Sequence, residues 1–312
     1  MSLIAVVDLG TNSTRLLVAR VDAGGAVEQL ERRTTITRLG QGVDSSGRLA
    51  DEAVERVFAA LEEYKRLIDE HGVERTVALA TSAVRDSENG DEFRRRMKER
   101  FGLDARTISG DEEARLTFLG ATNARADSDD EPTLVIDIGG GSTEFVVGRP
   151  GHDPDFHVST QAGSVRQTER HVRDDPPARE SLDELAREVR QIIEEGVPGE
   201  VRSRTTRAIA VAGTATQLAA IDQRLESYDA DAVHGYVLSL DAARAILERL
   251  ASVGLEDRRR ITGMHPDRAP TITAGAAILV QAIEAFGLDR VETSETDILQ
   301  GAALSASATP DG

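Results

Sequence analysis

The apolar and polar positions of this chain are read most clearly from Leu134 to Val147. An apolar run ends in Asp137, Gly139-Gly140-Gly141-Ser142-Thr143 interrupts it, and Phe145-Val146-Val147 resumes it. This pattern predicts strand, tight glycine turn, strand, and therefore a hairpin. Nearer the N-terminus, Ile4 to Val7 and Thr14 to Val21 predict a first hairpin, with Val27 to Leu39 as a third, more polar strand. Asp51 to Glu70 carries Val54, Val57, Phe58, Leu61 and Ile68 at helical spacing. Thr76 to Ala80 then reads as a buried strand running into Thr81-Ser82-Ala83-Val84-Arg85, and Asn89 to Phe101 as a basic, solvated helix. A further helix opens at Ser109, where Ser109 and Glu112 have capping-box spacing: the serine bonds the backbone near Glu112 and Glu112 reaches back.

The second half repeats this order. After the glycine hairpin, the pattern predicts a third strand at Phe156 to Thr160, helices at Val165 to Val172 and Leu182 to Glu195, and a buried strand at Ala208 to Val211. Asp241 to Leu250 and Ala269 to Phe286 read as helices, Arg290 to Thr293 as a strand, Asp297 to Ser305 as a closing helix, and Ser307 to Gly312 as a frayed tail. The two hairpins also align residue by residue. Asp8 matches Asp137, Gly10 matches Gly139, and Ser13-Thr14 matches Ser142-Thr143, which suggests two related halves. Asp127 to Pro132 is the polar connection between them.

Length and composition bound the class. At 312 residues the chain fits two domains of common size, and 39% hydrophobic with 29% charged residues is the composition of a soluble globular protein. The absence of cysteine excludes a disulfide scaffold, a thiol nucleophile and thiolate-held zinc. A net charge of -18 makes a poor general surface for nucleic acid or anionic membrane, so a polyanionic ligand needs a local basic patch and cations. The start MSLIAVVD is cut by Asp8 and is not read as a signal peptide, and Ile272 to Ile283 is too short to span a bilayer. The expected compartment is the cytoplasm.

The candidate chemistry sits at the glycine turns. A dinucleotide-binding turn needs a further glycine and a following helix, where Glu144 and a strand stand here; no Walker lysine follows either. Exposed amides of Gly139 to Gly141, with the Ser142 and Thr143 hydroxyls, can converge on an anion, and Asp137 at the strand end can hold a cation. A ligand-free glycine hairpin is the alternative for one turn alone; the second copy argues against mere scaffolding. Arg85 lies just past a strand's carboxyl end, where open α/β sheets place ligands, though taken alone it reads as a surface salt-bridge partner. The small residues Ala212-Gly213-Thr214 form a strand-to-helix turn able to receive phosphate, or simply to pack closely. His265 reads as a turn residue.

The segments VVDLGTNSTRLLVAR, TSAVRD, ISGDEEARLTFLGA, LVIDIGGGSTEFVVG, VAGTATQLAAI, GMHPDRAPTITAGAAIL and ETDILQGAAL together resemble the successive signatures of the exopolyphosphatase and guanosine pentaphosphate phosphohydrolase family. The resemblance covers nearly the whole chain. It implies an α/β fold of two ribonuclease-H-like domains, of the actin, Hsp70 and sugar-kinase superfamily, with the site in the cleft between them. The domains are then 1–126 and 127–296, with the C-terminal helix 297–312 packing back on the first. The chain is similar to the short members, without the extra C-terminal helical domains.

The resemblance further implies hydrolysis of the terminal phosphoanhydride of inorganic polyphosphate or guanosine pentaphosphate, with Mg²⁺ as cofactor, Mn²⁺ as its alternative, and a homodimer as one assembly option. In that scheme Glu113 is the general base and Glu144 supports it. Asp137 and Glu144 hold the metal, with Asp8 a weaker candidate, and Asn12, Ser13, Arg85, Gly139, Gly140, Gly141, Ser142, Gly213 and Thr214 bind phosphates. The other readings are a phosphotransferase of the acetate- or sugar-kinase type, and a non-catalytic actin-like protein that binds nucleotide or polyphosphate.

Overall fold

The computed structural model describes residues 1–125 and 131–308. Most of the predicted Asp127 to Pro132 connection, and the tail after Ala308, lie outside the described residues. Two compact units result: Met1–Ala124 joined by the segment from Asp297, and Arg125–Thr296.

In the first unit β1 (Ser2–Leu9), β2 (Thr14–Val21) and β3 (Val27–Thr35) form an antiparallel meander. The strands β4 (Arg75–Ala80) and β5 (Ala105–Thr107) add in parallel on the other side of β1, giving the order β3-β2-β1-β4-β5. This is a ribonuclease-H-like sheet. Because side chains alternate across a strand, β1 feeds two cores at once. Ala5, Val7 and Leu9 pack with Val57, Phe58 and Leu61, whereas Ile4 and Val6 pack with Ile298, Leu299 and Ala302. A strand covered on both faces reads as a continuous apolar run, which is how β1 appears in the sequence.

The C-terminal helix Ile298–Ala308 belongs to the first unit because of two glycines. A Cβ on Gly120 would lie 1.8 Å from the Asp297 carbonyl oxygen, and one on Gly301 would lie 1.8 Å from that of Leu116. The Gly110–Thr122 helix and the C-terminal helix therefore touch backbone to backbone. Ser307 and Ala308 lie inside that helix, not in the frayed tail expected of them. The third strand also ends earlier than predicted, at Thr35 instead of Leu39. Arg38 takes φ 50 and its N–H bonds the Asn12 carbonyl, which pulls the chain off the sheet and behind the first glycine turn.

The second unit repeats the meander with β6 (Thr133–Ile138), β7 (Thr143–Gly148) and β8 (Phe156–Thr160), and β9 (Ala208–Val211) lies parallel to β6. Beyond it come β10 (Val237–Ser239) and β11 (Arg290–Thr293), in the order β10-β11-β9-β6-β7-β8. The order β8-β7-β6-β9 matches β3-β2-β1-β4, so the duplication seen in the sequence is a duplication of sheet topology.

The core of this unit is built on the buried Ile272–Ala285 helix, packed against Arg179–Gly196 and Leu240–Ala251. That helix starts at Ile272 and not Ala269, because Pro266–Arg268 forms a separate 3₁₀ turn capped by His265 Nδ1, which accepts from the Asp267 N–H. Arg258, first of three consecutive arginines, is buried and donates to the carbonyls of Leu250, Val253 and Ala269, so it is a staple of the fold. No helix among the described residues is long and apolar enough to cross a membrane.

Candidate active site

The two glycine turns close in the same way. The Gly10 amide donates to Ser13 O, and the Gly139 amide to Ser142 O, each at 3.0 Å. In each hairpin the strand-end aspartate therefore faces one particular residue across the ladder. Asp8 faces Arg15, and Asp137 faces Glu144.

In the first hairpin that residue cancels the charge. Arg15 Nε and Nη2 donate to Asp8 Oδ2 at 2.8 and 2.7 Å, while its Nη1 bonds Asp297 Oδ2, and Arg32 stands 3.9 Å from the same oxygen. Burial pushes the Asp8 carboxyl above the ordinary carboxylate range, and Arg15 only partly opposes this. Burial also pushes Asp297 up. There, Arg15, Arg32 and the Leu299 N–H together prevail and hold its carboxyl low. Asp8 Oδ1 and Asn12 Oδ1 are both buried without a hydrogen-bond partner among the described residues.

The second hairpin concentrates negative charge instead. Asp137 (6% exposed) and Glu144 (1%) are directly opposed on adjacent strands, and Glu144 Oε1 accepts from Ser159 Oγ at 2.7 Å on the next strand. Like charges placed opposite one another are destabilising unless compensated, so this pair suits a cation. No group of three or more His, Asp or Glu side chains able to hold a metal exists among the described residues. Two carboxylates with the remaining positions left to water and phosphate is the way Mg²⁺ is ordinarily held, so Asp137 and Glu144 fit that ion. Asp8 fits less well, since Arg15 occupies one oxygen; only its open Oδ1 could meet a hydrated cation.

The remaining candidates divide by unit. In the first, Arg85 Nη1 donates to Ile108 O at 3.0 Å and to Glu113 Oε2 at 3.2 Å, joining the phosphate-ligand candidate to the base candidate. Asn12 and Ser13 sit in the first turn. In the second unit, Gly140, Gly141 and Ser142 form the turn, and the Ser142 hydroxyl has no protein partner among the described residues although the residue is 2% exposed. Gly213 and Thr214 lie in the first turn of the Ala212–Asp222 helix, entered through Ala212 at φ 63. The Thr214 hydroxyl donates back to Ile138 O at 3.4 Å, which leaves its amide as the group for a ligand. Arg268 is the neighbour the sequence did not single out. A Cβ on Gly213 would lie 1.8 Å from its Nη1, so the guanidinium rests where a side chain would otherwise stand.

The profile of the Ppx/GppA phosphatase family matches residues 17–308, a span that holds most of these groups. The chain belongs to that family. It is 39% identical to Exopolyphosphatase 2 of Mycobacterium tuberculosis over 97% of this chain and 98% of that one. Among solved structures, an exopolyphosphatase-like protein superposes with a TM-score of 0.92 at 36% identity, covering 98% of this chain and 97% of the other. An exopolyphosphatase from Cytophaga hutchinsonii superposes with a TM-score of 0.87 at 25% identity, covering 97% and 98%.

One local expectation for this Ppx/GppA phosphatase is corrected. Ser109 Oγ accepts from the Glu112 amide at 3.1 Å as a helix cap, but the Glu112 carboxylate does not return to Ser109; it pairs with Arg106 at 2.5 Å. An arginine outbids a backbone amide for a half-exposed carboxylate, so the box is closed on one side only. Glu113, one residue on, is 8% exposed and turned to Arg85.

Proposed function

We propose that this chain hydrolyses the terminal phosphoanhydride of inorganic polyphosphate, and that guanosine pentaphosphate is a second substrate. The observation that carries the reading is the buried Asp137–Glu144 pair beside the glycine turn, in a chain with this family membership. Water attacks the terminal phosphorus in line, the bridging P–O bond breaks, and the shortened chain leaves as an oxyanion. Such a transition state calls for charge compensation and positioning more than covalent chemistry. The amides of Gly140, Gly141 and Ser142, the Ser142 hydroxyl and the Gly213-Thr214 amides take the phosphate oxygens in the second unit, with Asn12, Ser13 and Arg85 doing so in the first; the Gly139 amide, expected among them, is spent on Ser142 O at 3.0 Å and closes the turn instead. Glu113 accepts the proton of the attacking water. Asp137 and Glu144 would hold Mg²⁺, or Mn²⁺ in its place, which when bound supplies positive charge to the phosphate oxygens.

The net charge of -18 argues against nucleic acid or anionic membrane as partners, and the proposed compartment is the cytoplasm. Phosphate release measured side by side on long polyphosphate, short polyphosphate, guanosine pentaphosphate and ATP, with Mg²⁺ or Mn²⁺, tests the reading. Release from polyphosphate without any acceptor is expected. Release only when a phosphoryl acceptor is added would make the protein a phosphotransferase, and none under any condition would make it a binding protein.

A further inference from the structure

Three successive carbonyls of the second glycine turn are occupied from one side by a single short segment. Gly139 O accepts from the Ser164 amide at 2.9 Å and from Ser164 Oγ at 3.1 Å. Gly140 O accepts from the amides of Val165 at 2.8 Å and Arg166 at 3.2 Å, and Gly141 O from Arg166 Nε at 2.8 Å. Three of these donors are the first amides of the Ser164–His171 helix, whose N-cap is Gly163 with no side-chain cap; the other two are the Ser164 hydroxyl and the Arg166 guanidinium. Free amides at a helix start must find acceptors, and here the turn carbonyls provide them.

Two consequences follow from peptide geometry. A trans peptide holds its N–H anti to its C=O, so anchoring the carbonyls of residues 139 to 141 turns the amides of Gly140, Gly141 and Ser142 to the opposite side. Among the described residues none of these three amides donates to a protein acceptor. The positive end of a helix and one guanidinium also stand behind the same peptide groups, and a hydrogen bond accepted at C=O strengthens the donor at N–H. The approach is close enough to require glycine: a Cβ on Gly163 would fall 2.2 Å from Gly140 O and 2.3 Å from Gly141 C, backbone atoms that cannot swing aside. The first turn is backed in the same way, by the amides of Arg38 on Asn12 O and Gly40 on Thr11 O, at 2.9 and 2.8 Å.

We infer that Gly163–Arg166 is a backing element that orients the phosphate-binding amides of the second turn, with Arg166 as a positioning residue acting through the Gly141 carbonyl. The inference rests on the proposed phosphohydrolase reading for its catalytic consequence, but not for its structural one. Amide alignment matters most where negative charge builds in the transition state, so loss of the Arg166 contact should fall on kcat and not on KM.

The test compares wild type, Arg166→Met and Arg166→Lys. Backbone ¹⁵N relaxation of Gly140 and Gly141 is measured without substrate, and kcat and KM on polyphosphate are measured with Mg²⁺. In Arg166→Met the order parameters of both glycines should fall and kcat should drop about 10- to 100-fold with KM little changed, since misplaced groups cost rates of this order. Arg166→Lys, able to reach the same carbonyl, should recover part of both. Unchanged glycine order in Arg166→Met overturns the inference. So does a rise in KM at constant kcat, which would mark a direct substrate contact. If wild type releases no phosphate, the phosphohydrolase reading is what fails, and the relaxation measurement still decides the backing role.

Discussion

In the first glycine hairpin the residue opposite the strand-end aspartate is Arg15; in the second it is Glu144. Turn closure and sheet position are shared, and the side chains differ at this cross-strand position and in the turn, where Thr11-Asn12 stands against Gly140-Gly141. Arg15 spends its guanidinium on Asp8 and Asp297 and ties the hairpin to the start of the C-terminal helix. That makes the first copy a charge-balanced joint of its unit. Glu144 adds a second carboxylate opposite Asp137, the pair proposed to hold the cation. The two hairpins share a turn closure and differ at the cross-strand position, where one places an arginine and the other a glutamate opposite the aspartate.

The largest effect is expected outside both hairpins. Glu113→Gln should lower the rate by about 10²- to 10⁴-fold, the usual cost of losing a positioned base, while thermal stability and polyphosphate binding persist. If Glu113→Gln turns over normally, Glu144 becomes the base candidate, and its assignment to the cation breaks. Next in size is Arg15→Met. It strands Asp8 and Asp297 in the interior, and breaking a buried ion pair costs about 3–5 kcal/mol, read as a lower urea midpoint. An unaltered midpoint would deny the joint its role.

The acid limb of stability sharpens the same contrast. Asp297 is held below its ordinary value of 3.8, so it adds stability above that pH and loses it as pH falls through its lower folded value. Asp8, raised by burial, acts in the opposite sense and is relieved by protonation. Melting curves of Asp297→Asn should therefore lie below wild type at neutral pH and converge on it below pH 3.8; a gap that stays constant with pH would contradict the assignment. The smallest effect belongs to Glu112→Gln. It loses a half-exposed pair with Arg106 worth about 0–1 kcal/mol and should keep near-normal activity, since the Ser109 cap is made by the Glu112 backbone amide.

The hairpins were legible because polar, glycine-bearing turns interrupt apolar runs, and Glu113 was singled out because the family signature surrounds it. The sequence could not reveal β5 and β10, three residues each and too short for periodicity to register. Arg15 and Asp297 are 282 positions apart, and nothing local marks them as partners. The helix contact through Gly120 and Gly301 rests on missing side chains, which hydrophobic patterning does not register. Arg268 escaped notice for the same reason: its place is defined by the absence of a Cβ on Gly213. Glu112 misled because the capping spacing was right while a better donor, Arg106, lay on a neighbouring element.

The contrast between the hairpins is tested most directly by the Mg²⁺ dependence of phosphate release from polyphosphate in wild type, Asp8→Asn, Asp137→Asn and Glu144→Gln. Asp137→Asn and Glu144→Gln should raise the Mg²⁺ concentration for half-maximal rate by at least about 10-fold, as expected when a ligand or its close support is lost. Asp8→Asn should leave that concentration at the wild-type value. A shift in Asp8→Asn as large as that in Asp137→Asn would contradict the account, because the first hairpin would then hold the cation despite Arg15.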